Sequence, residues 1–279
     1  MNVRFEKSTE EIYRLLVEGL QRFFSSLNTK KATLGLSGGL DSAVVLALAV
    51  DALGAKNIKA LLMPSEYSTV HSITDAVQMA DILNVDYDII EITPIFKEFN
   101  RSLSPVFKGK EHDVAEENLQ ARIRGTLLMA LSNTCGHILL NTSNKSELSV
   151  GYGTLYGDLC GAVSVLGDVY KTQAYDLARF INRNKELIPV NIITKAPSAE
   201  LRHDQKDSDS LPEYEELDAI LFMLNEQGLS EEEIINNGID KKLVGRVSAL
   251  TKSNKFKALQ CPPIIKASSK PLVAEYKWV

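Results

Sequence analysis

A parallel β-sheet flanked by helices, an α/β fold with a helical C-terminal extension, is what this sequence predicts, and two observations predict it. The first is alternation. Short apolar runs at 32–36, 58–63, 87–92 and 137–140 are separated by longer stretches with helical apolar spacing. Strands alternating with helices imply right-handed βαβ crossovers and hence a parallel sheet. The second is a tight turn, Ser37-Gly38-Gly39, between the first such run and the Ala/Leu/Val-rich run from Ala43 to Val50, which Gly54 closes as a C-cap. Ligands of such sheets lie beyond the carboxyl ends of the strands, so this turn is expected at the ligand-binding edge.

Taken in order, the chain opens with a helical stripe from Ser8 to Leu27, its apolar residues Ile12, Leu15, Leu16, Leu20, Phe23, Phe24 and Leu27 on one face, with Ser8 and Glu11 as a capping box. It covers the sheet, or packs on a partner subunit. After the strand–turn–helix unit comes the second strand. The loop Pro64–Ser68 leaves it on the same edge as the glycine turn, and Met63 and Pro64 either wall a flat base or form a simple strand exit. A helix from His71 to Leu83 and a third strand follow, then a short helix plus loop from Pro94 to Asp113. A long helix, Ala115–Asn133, places Asn118 and Arg122 on one face, near the cleft.

The fourth strand runs into the polar stretch Asn141–Glu147 and a short helix. Gly151, Gly153, Gly157, Gly161 and Gly167 then punctuate a segment whose aromatic and apolar residues are unlike a solvated linker; its backbone is expected to approach something closely. Lys171 starts a helix reaching about Asn184. The run from Arg202 to Ser210 is too polar to pack and reads as a mobile loop, a lid or an exposed connector. Helices over 214–225, 230–238 and 241–253 complete the extension, and Gln260–Lys266 is extended around Pro262 and Pro263.

Composition limits the function classes. A net charge of −5 over 279 residues argues against a large nucleic-acid footprint. No apolar run reaches the roughly 18 residues of a membrane span, and the first residues lack the apolar segment of a secretory signal. Cys135, Cys160 and Cys261 have no C-x-x-C pairing and read as reduced thiols, so the cytoplasm is the expected compartment.

The glycine turn carries the chemistry. Where Gly38-Gly39 feeds a helix, first-turn N–H groups lack intrahelical partners and the helix dipole adds positive charge, so a phosphate binds there without a side-chain cation. No lysine follows the glycines as it would in G-x-x-x-x-G-K-S/T. The loop instead offers Ser37, Ser42 and the acid Asp41, and an acid beside a polyphosphate implies Mg²⁺ between them. The pattern S-G-G-x-D-S resembles the pyrophosphate-binding loop of the ATP pyrophosphatase superfamily, whose members cleave ATP between its α and β phosphates. That resemblance implies a Rossmann-like sheet of the adenine nucleotide alpha-hydrolase-like kind.

Further motifs narrow the likeness. Glu116-Glu117-Asn118-Leu119-Gln120-Ala121-Arg122, Asn144–Tyr152, Tyr156-Gly157-Asp158, Lys195–Leu201 and Asp209-Ser210-Leu211-Pro212 closely resemble NAD synthetases, above all the synthetase domain of the glutamine-dependent enzymes. The likeness spans roughly Ala32 to Pro263. It divides the chain into an N-terminal helix (1–30), the ATP pyrophosphatase synthetase core (31–200), and a mobile loop with the helical extension of the same domain (201–279). Glutamine-dependent relatives also carry a nitrilase-like glutaminase domain, for which this chain has no room. A synthetase using free ammonia, or one fed by a separate glutaminase, is therefore the implied arrangement.

The family adenylates the nicotinate carboxylate of deamido-NAD with ATP, releasing pyrophosphate, and ammonia then displaces AMP to give NAD. By resemblance Gly35, Leu36, Ser37, Gly38, Gly39, Leu40, Asp41 and Ser42 hold the phosphates, Asp41 and Glu147 bind Mg²⁺, and Thr142, Lys171 and Ser198 contact ATP. Asp41, Lys171 and Glu147 are the catalytic candidates. Asn118, Arg122, Glu147, Tyr152, Asp158 and Lys257 would hold the dinucleotide. The family is homodimeric, so a homodimer is expected. Departures fall at Ala258, where arginine is usual, at Glu66, where a basic residue is expected, and at Leu155 and Ala162, where the ammonia-dependent branch has lysine and aspartate. They bear on the dinucleotide contacts more than on ATP. The rivals are a GMP-synthetase-like amidating enzyme, a tRNA thiolase, whose usual paired cysteines and basic surface are not apparent, and a non-catalytic adenine-nucleotide sensor.

Overall fold

The computed structural model describes residues 5–108 and 114–272. Helix α1 (Thr9–Ser26) begins where Ser8 accepts a hydrogen bond from the Glu11 amide, 3.2 Å away. Its apolar face packs on α2 and α7 of the same chain, burying Ile12, Leu16, Leu20, Phe23 and Phe24. Strand β1 (Ala32–Gly35) passes through the glycine turn into α2 (Leu40–Leu53), with Gly39 as N-cap. Then follow β2 (Ile58–Leu62), α3 (Val70–Leu83), β3 (Asp86–Ile89), α4 (Thr93–Phe107), α5 (Val114–Cys135), β4 (Ile138–Asn141), α6 (Lys145–Val150), β5 (Val163–Ser164) and α7 (Lys171–Ile181). The sheet order is β3-β2-β1-β4-β5 with every pairing parallel, as the alternation implies.

Because both faces of β1 are covered, it is buried throughout its first three residues, and α2 is apolar on every side because it lies between the sheet and α1. Leu34, Leu46 and Leu48 are fully excluded from solvent, each contributing about 1.5–3 kcal/mol of hydrophobic stabilisation. Helices α8 (Val190–Thr194), α9 (Tyr214–Phe222), α10 (Glu231–Asn236) and α11 (Lys241–Ala258) follow, the last three gathering a second apolar cluster around Leu217, Leu221, Ile234 and Val247. Among the described residues no helix is long and apolar enough to cross a membrane.

Several elements differ from the sequence reading. The segment after β3 is a 15-residue helix rather than a short one, because Pro105 sits in its last turns, where only a carbonyl one turn back loses its partner. The loop expected up to Asp113 falls in part on 109–113, which lie outside the described residues, as do 1–4 and 273–279. Helix α11 extends to Ala258 instead of ending near Ser253, so Lys257 is helical. The polar run 202–210 does pack at one point: Asp207 is buried, accepting hydrogen bonds from the Tyr152 and Tyr214 hydroxyls at 3.1 and 2.9 Å. The two-residue β5, which pairs with β4, lies within the glycine-punctuated segment.

Candidate active site

A cleft of about 530 Å³ opens at the carboxyl edge of the sheet. Its floor is the glycine turn. Gly38 has φ +78°, and a Cβ there would stand 2.1 Å from the Ser72 carbonyl oxygen of α3, so the turn can pack on that helix only without a side chain. Within the turn the Ser37 and Ser42 hydroxyls lie 3.1 Å apart, and the Gly39 amide donates to Ser37 Oγ. Asp41 follows in the first turn of α2, where the dipole favours an anion.

Three charged groups converge beside this turn. Lys171, the first residue of α7, donates from Nζ to Asp41 Oδ2 at 2.5 Å and stands 3.8 Å from Glu147 Oε1. Asn144 caps α6 and presents Glu147: the Glu147 amide donates to Asn144 Oδ1 and the Asn144 amide to Glu147 Oε2. Asn144 Nδ2 also donates to Asp41 Oδ1 at 3.2 Å. Burial, then the charge of Asp41, hold the Glu147 carboxyl well above the usual carboxylate range. Burial opposes the Lys171 ammonium, but Asp41 and Glu147 together outweigh it and raise its pKa. Two acids therefore converge on one cation at the edge of the cleft.

The mouth of β4 sets the opposite wall. Asn141 is buried and bonds the carbonyls of Asp158 and Cys160 through Nδ2, while its Oδ1 accepts from Ser143 N and Ser164 Oγ. Asp158 receives the Thr154 amide at 2.6 Å, and Thr154 Oγ1 donates to Asn118 at 2.7 Å. Burial raises the Asp158 pKa. Lys257 reaches back from α11 to the Gly151 and Gly153 carbonyls at 2.8 and 2.9 Å.

The sequence candidates Gly35, Leu36, Ser37, Gly39, Leu40, Asp41, Ser42, Asn118, Thr142, Glu147, Tyr152, Asp158, Lys171, Ser198 and Lys257 all line this one cleft, as do Met63 and Pro64. Gly38 lies beneath its surface. Arg122 is not brought there: it is exposed, with Nε on the Leu155 carbonyl. Arg124, two residues on, lines the cleft instead with Nε on the Met63 carbonyl at 3.0 Å, and burial lowers its pKa to about 10. Residues two apart on a helix point to opposite sides, and polar and apolar residues are too evenly mixed around α5 for its pattern to say which arginine faces in. Asn141, Asn144, Arg124 and Asp207 are the residues that sequence reasoning did not single out. The departures Glu66, Leu155, Ala162 and Ala258 do not line the cleft.

Comparison with known proteins identifies the family. The family model for NAD synthase matches residues 12–261. The chain belongs to the NAD synthase family. It is 47% identical over 262 residues to the glutamine-dependent NAD(+) synthetase of Synechocystis, an alignment covering 94% of this chain and 47% of that protein. The chain thus spans about half the length of the curated relatives it matches. Among solved structures it is similar to the glutamine-dependent NAD+ synthetase of Acinetobacter baumannii in complex with ADP, with 40% identity, a TM-score of 0.67 and coverage of 99% of this chain and 50% of that one. It is also similar to the NH3-dependent NAD synthetase of Campylobacter jejuni, with 30% identity, a TM-score of 0.75 and coverage of 93% and 100%. Membership of the NAD synthase family accounts for the parallel sheet and for the motifs spaced along it.

Proposed function

We propose that this cleft binds ATP and deamido-NAD and makes NAD by amidation in two steps. A nicotinate carboxylate oxygen attacks the α-phosphorus of ATP; the bond to the β-phosphate oxygen breaks and pyrophosphate leaves. Ammonia then attacks the carbonyl carbon of the mixed anhydride, AMP departs, and the nitrogen gives up one proton to solvent. A carboxylate is a poor electrophile and the anhydride supplies its leaving group, so the protein's task is alignment and charge neutralisation. The observation that carries this reading is the meeting of Asp41, Glu147 and Lys171 beside the glycine turn.

In this reading the turn seats the phosphates, Lys171 offsets charge growing on them, and Thr142 and Ser198 add polar contacts. Asn118, Tyr152, Asp158 and Lys257 hold the dinucleotide, with Arg122 available only from outside the cleft. Mg²⁺ fits the donor set. Among the described residues no three metal-ligating side chains converge, and Mg²⁺ is commonly held by one or two carboxylates completed by substrate phosphates. Asp41 and Glu147 are such a pair, and the ion would relieve their mutual repulsion while screening the phosphate charge.

Incubating the chain with ATP, Mg²⁺, deamido-NAD and ammonium should yield NAD, AMP and pyrophosphate in equal amounts. ADP with orthophosphate, or ATP left intact, overturns the proposal. Replacing ammonium by glutamine, with and without an added glutaminase, identifies the nitrogen source. A homodimer is likewise proposed from the family, and light scattering tests it.

A further inference from the structure

Of the other cations that line the cleft, Lys171 is paired with Asp41 and Glu147, Lys257 is assigned above to the dinucleotide, and Arg124 donates to the Met63 carbonyl. Lys195, at the end of α8, has no such role. Its Nζ donates to Ser72 Oγ at 2.8 Å, and among the described residues no carboxylate lies within ion-pairing distance of it. The two acids that act on it from farther away, Glu200 and Asp75, are both engaged. Glu200 accepts from the Thr69 amide, Thr69 Oγ1 and Ser72 Oγ at the start of α3, and Asp75 accepts from Asn191 Nδ2. An ammonium has three donors, and Lys195 spends one on a neutral hydroxyl while facing the cleft.

Its position is fixed by Ser72. The Ser72 carbonyl is the atom on which Gly38 packs, while the Ser72 hydroxyl holds Lys195. The lysine therefore reaches the glycine turn by way of α3, whereas Lys171 reaches it by way of Asp41 on α2. Burial destabilises the Lys195 ammonium and lowers its pKa, a cost that an incoming anion would offset.

We propose that Lys195 is a second phosphate-binding residue of this cleft, taking the pyrophosphate moiety of a nucleoside triphosphate, or free pyrophosphate, from the α3 side of the glycine turn. The proposal rests on the cleft being the ATP site. It adds that the departing pyrophosphate is held between two lysines from different elements, so that one of them contacts it without competing for the acids.

Calorimetric titration of the full chain with inorganic pyrophosphate, ATP and AMP, each with Mg²⁺, tests this. Lys195→Met should weaken pyrophosphate and ATP about ten- to a hundredfold, the size of a charge-assisted hydrogen bond, and leave AMP unchanged; Lys195→Arg should recover most of the loss. Equal losses for AMP and pyrophosphate, or none, overturn the proposal. Acetylation footprinting of the wild type gives a reading that no folding defect can disturb: pyrophosphate and ATP should protect Lys195, AMP should not, and absence of protection also overturns it. Wild type that binds pyrophosphate without making NAD defeats the functional reading alone. Wild type that makes NAD, with Lys195→Met binding pyrophosphate normally, defeats this inference alone.

Discussion

Asp41 carries two contacts that an asparagine can imitate unequally. Its Oδ1 accepts from Asn144 Nδ2, and its Oδ2 takes the Lys171 ammonium at 2.5 Å. Asp41→Asn keeps the shape and one acceptor but removes the charge that faces Lys171 and any ion shared with Glu147. The expected outcome is a fall in kcat of about a hundredfold, the scale of losing one preorganised electrostatic contact, with a melting midpoint close to wild type. Unchanged turnover at limiting Mg²⁺ would contradict a metal-binding role. Asp41 was legible from sequence because its whole context is local: two glycines, two serines and a helix start within six residues. Asp207 was not. Its partners Tyr152 and Tyr214 are 55 and 7 residues away, and its neighbours along the chain are all polar, so nothing nearby marks it as buried.

At the scale of elements, the start of α7 decides where Lys171 points. Ser146 Oγ accepts the Lys171 amide at 2.9 Å and donates to Asp218, whose other oxygen accepts the Thr172 amide at 2.8 Å. One buried carboxylate from α9 thereby links α6 to α7. Burial is the chief cause that raises the Asp218 pKa to about 6 against hydrogen bonds from Ser146 and Thr172 that lower it. A carboxyl whose folded-state pKa exceeds its unfolded value is protonated in the native state while already ionised in the unfolded chain. Stability from this group therefore declines as pH rises from about 4 to about 6, by roughly 2–3 kcal/mol at 1.36 kcal/mol per pKa unit. Urea titrations at pH 4 and pH 7 check this: wild type should be favoured over Asp218→Asn more at pH 4 than at pH 7. A difference between the two proteins that does not vary with pH would remove the argument. The alternation of strands and helices made α6 and α7 legible, but not this link, since a period describes one element and says nothing of which carboxylate meets it from 46 residues away. The same limit hid β5, whose two residues are too few for any period.

For the whole molecule the question is what joins the sheet to the C-terminal helices: Val150 and Tyr170 enter the apolar cluster of those helices, and beside it lies a buried ionic cluster. Lys145 is completely buried, with Nζ at 2.8 Å from Asp168 and from Glu226, and it also donates to Ser268 Oγ and the Lys270 carbonyl. Asp168 in turn accepts from the Ala267 and Ser268 amides. One ammonium thus fastens α6, the segment before α7, the widened helical turn Met223–Gln227 that continues α9, and the chain beyond Pro263, two residues from Glu147. Its desolvation is costly, so the cluster need not add net stability over an apolar core, yet losing one member leaves the others charged and unpaired. Lys145→Met would leave Asp168 and Glu226 facing each other without a cation, at a cost of about 3–5 kcal/mol. Equilibrium urea unfolding at pH 7 should show that loss. Adding Asp168→Asn and Glu226→Gln to Lys145→Met should restore part of it, because the repulsion disappears with the charges. A single-variant loss below about 1 kcal/mol, the range of an exposed ion pair, would mean that the apolar contacts of α6 and α9 hold the two parts together without it.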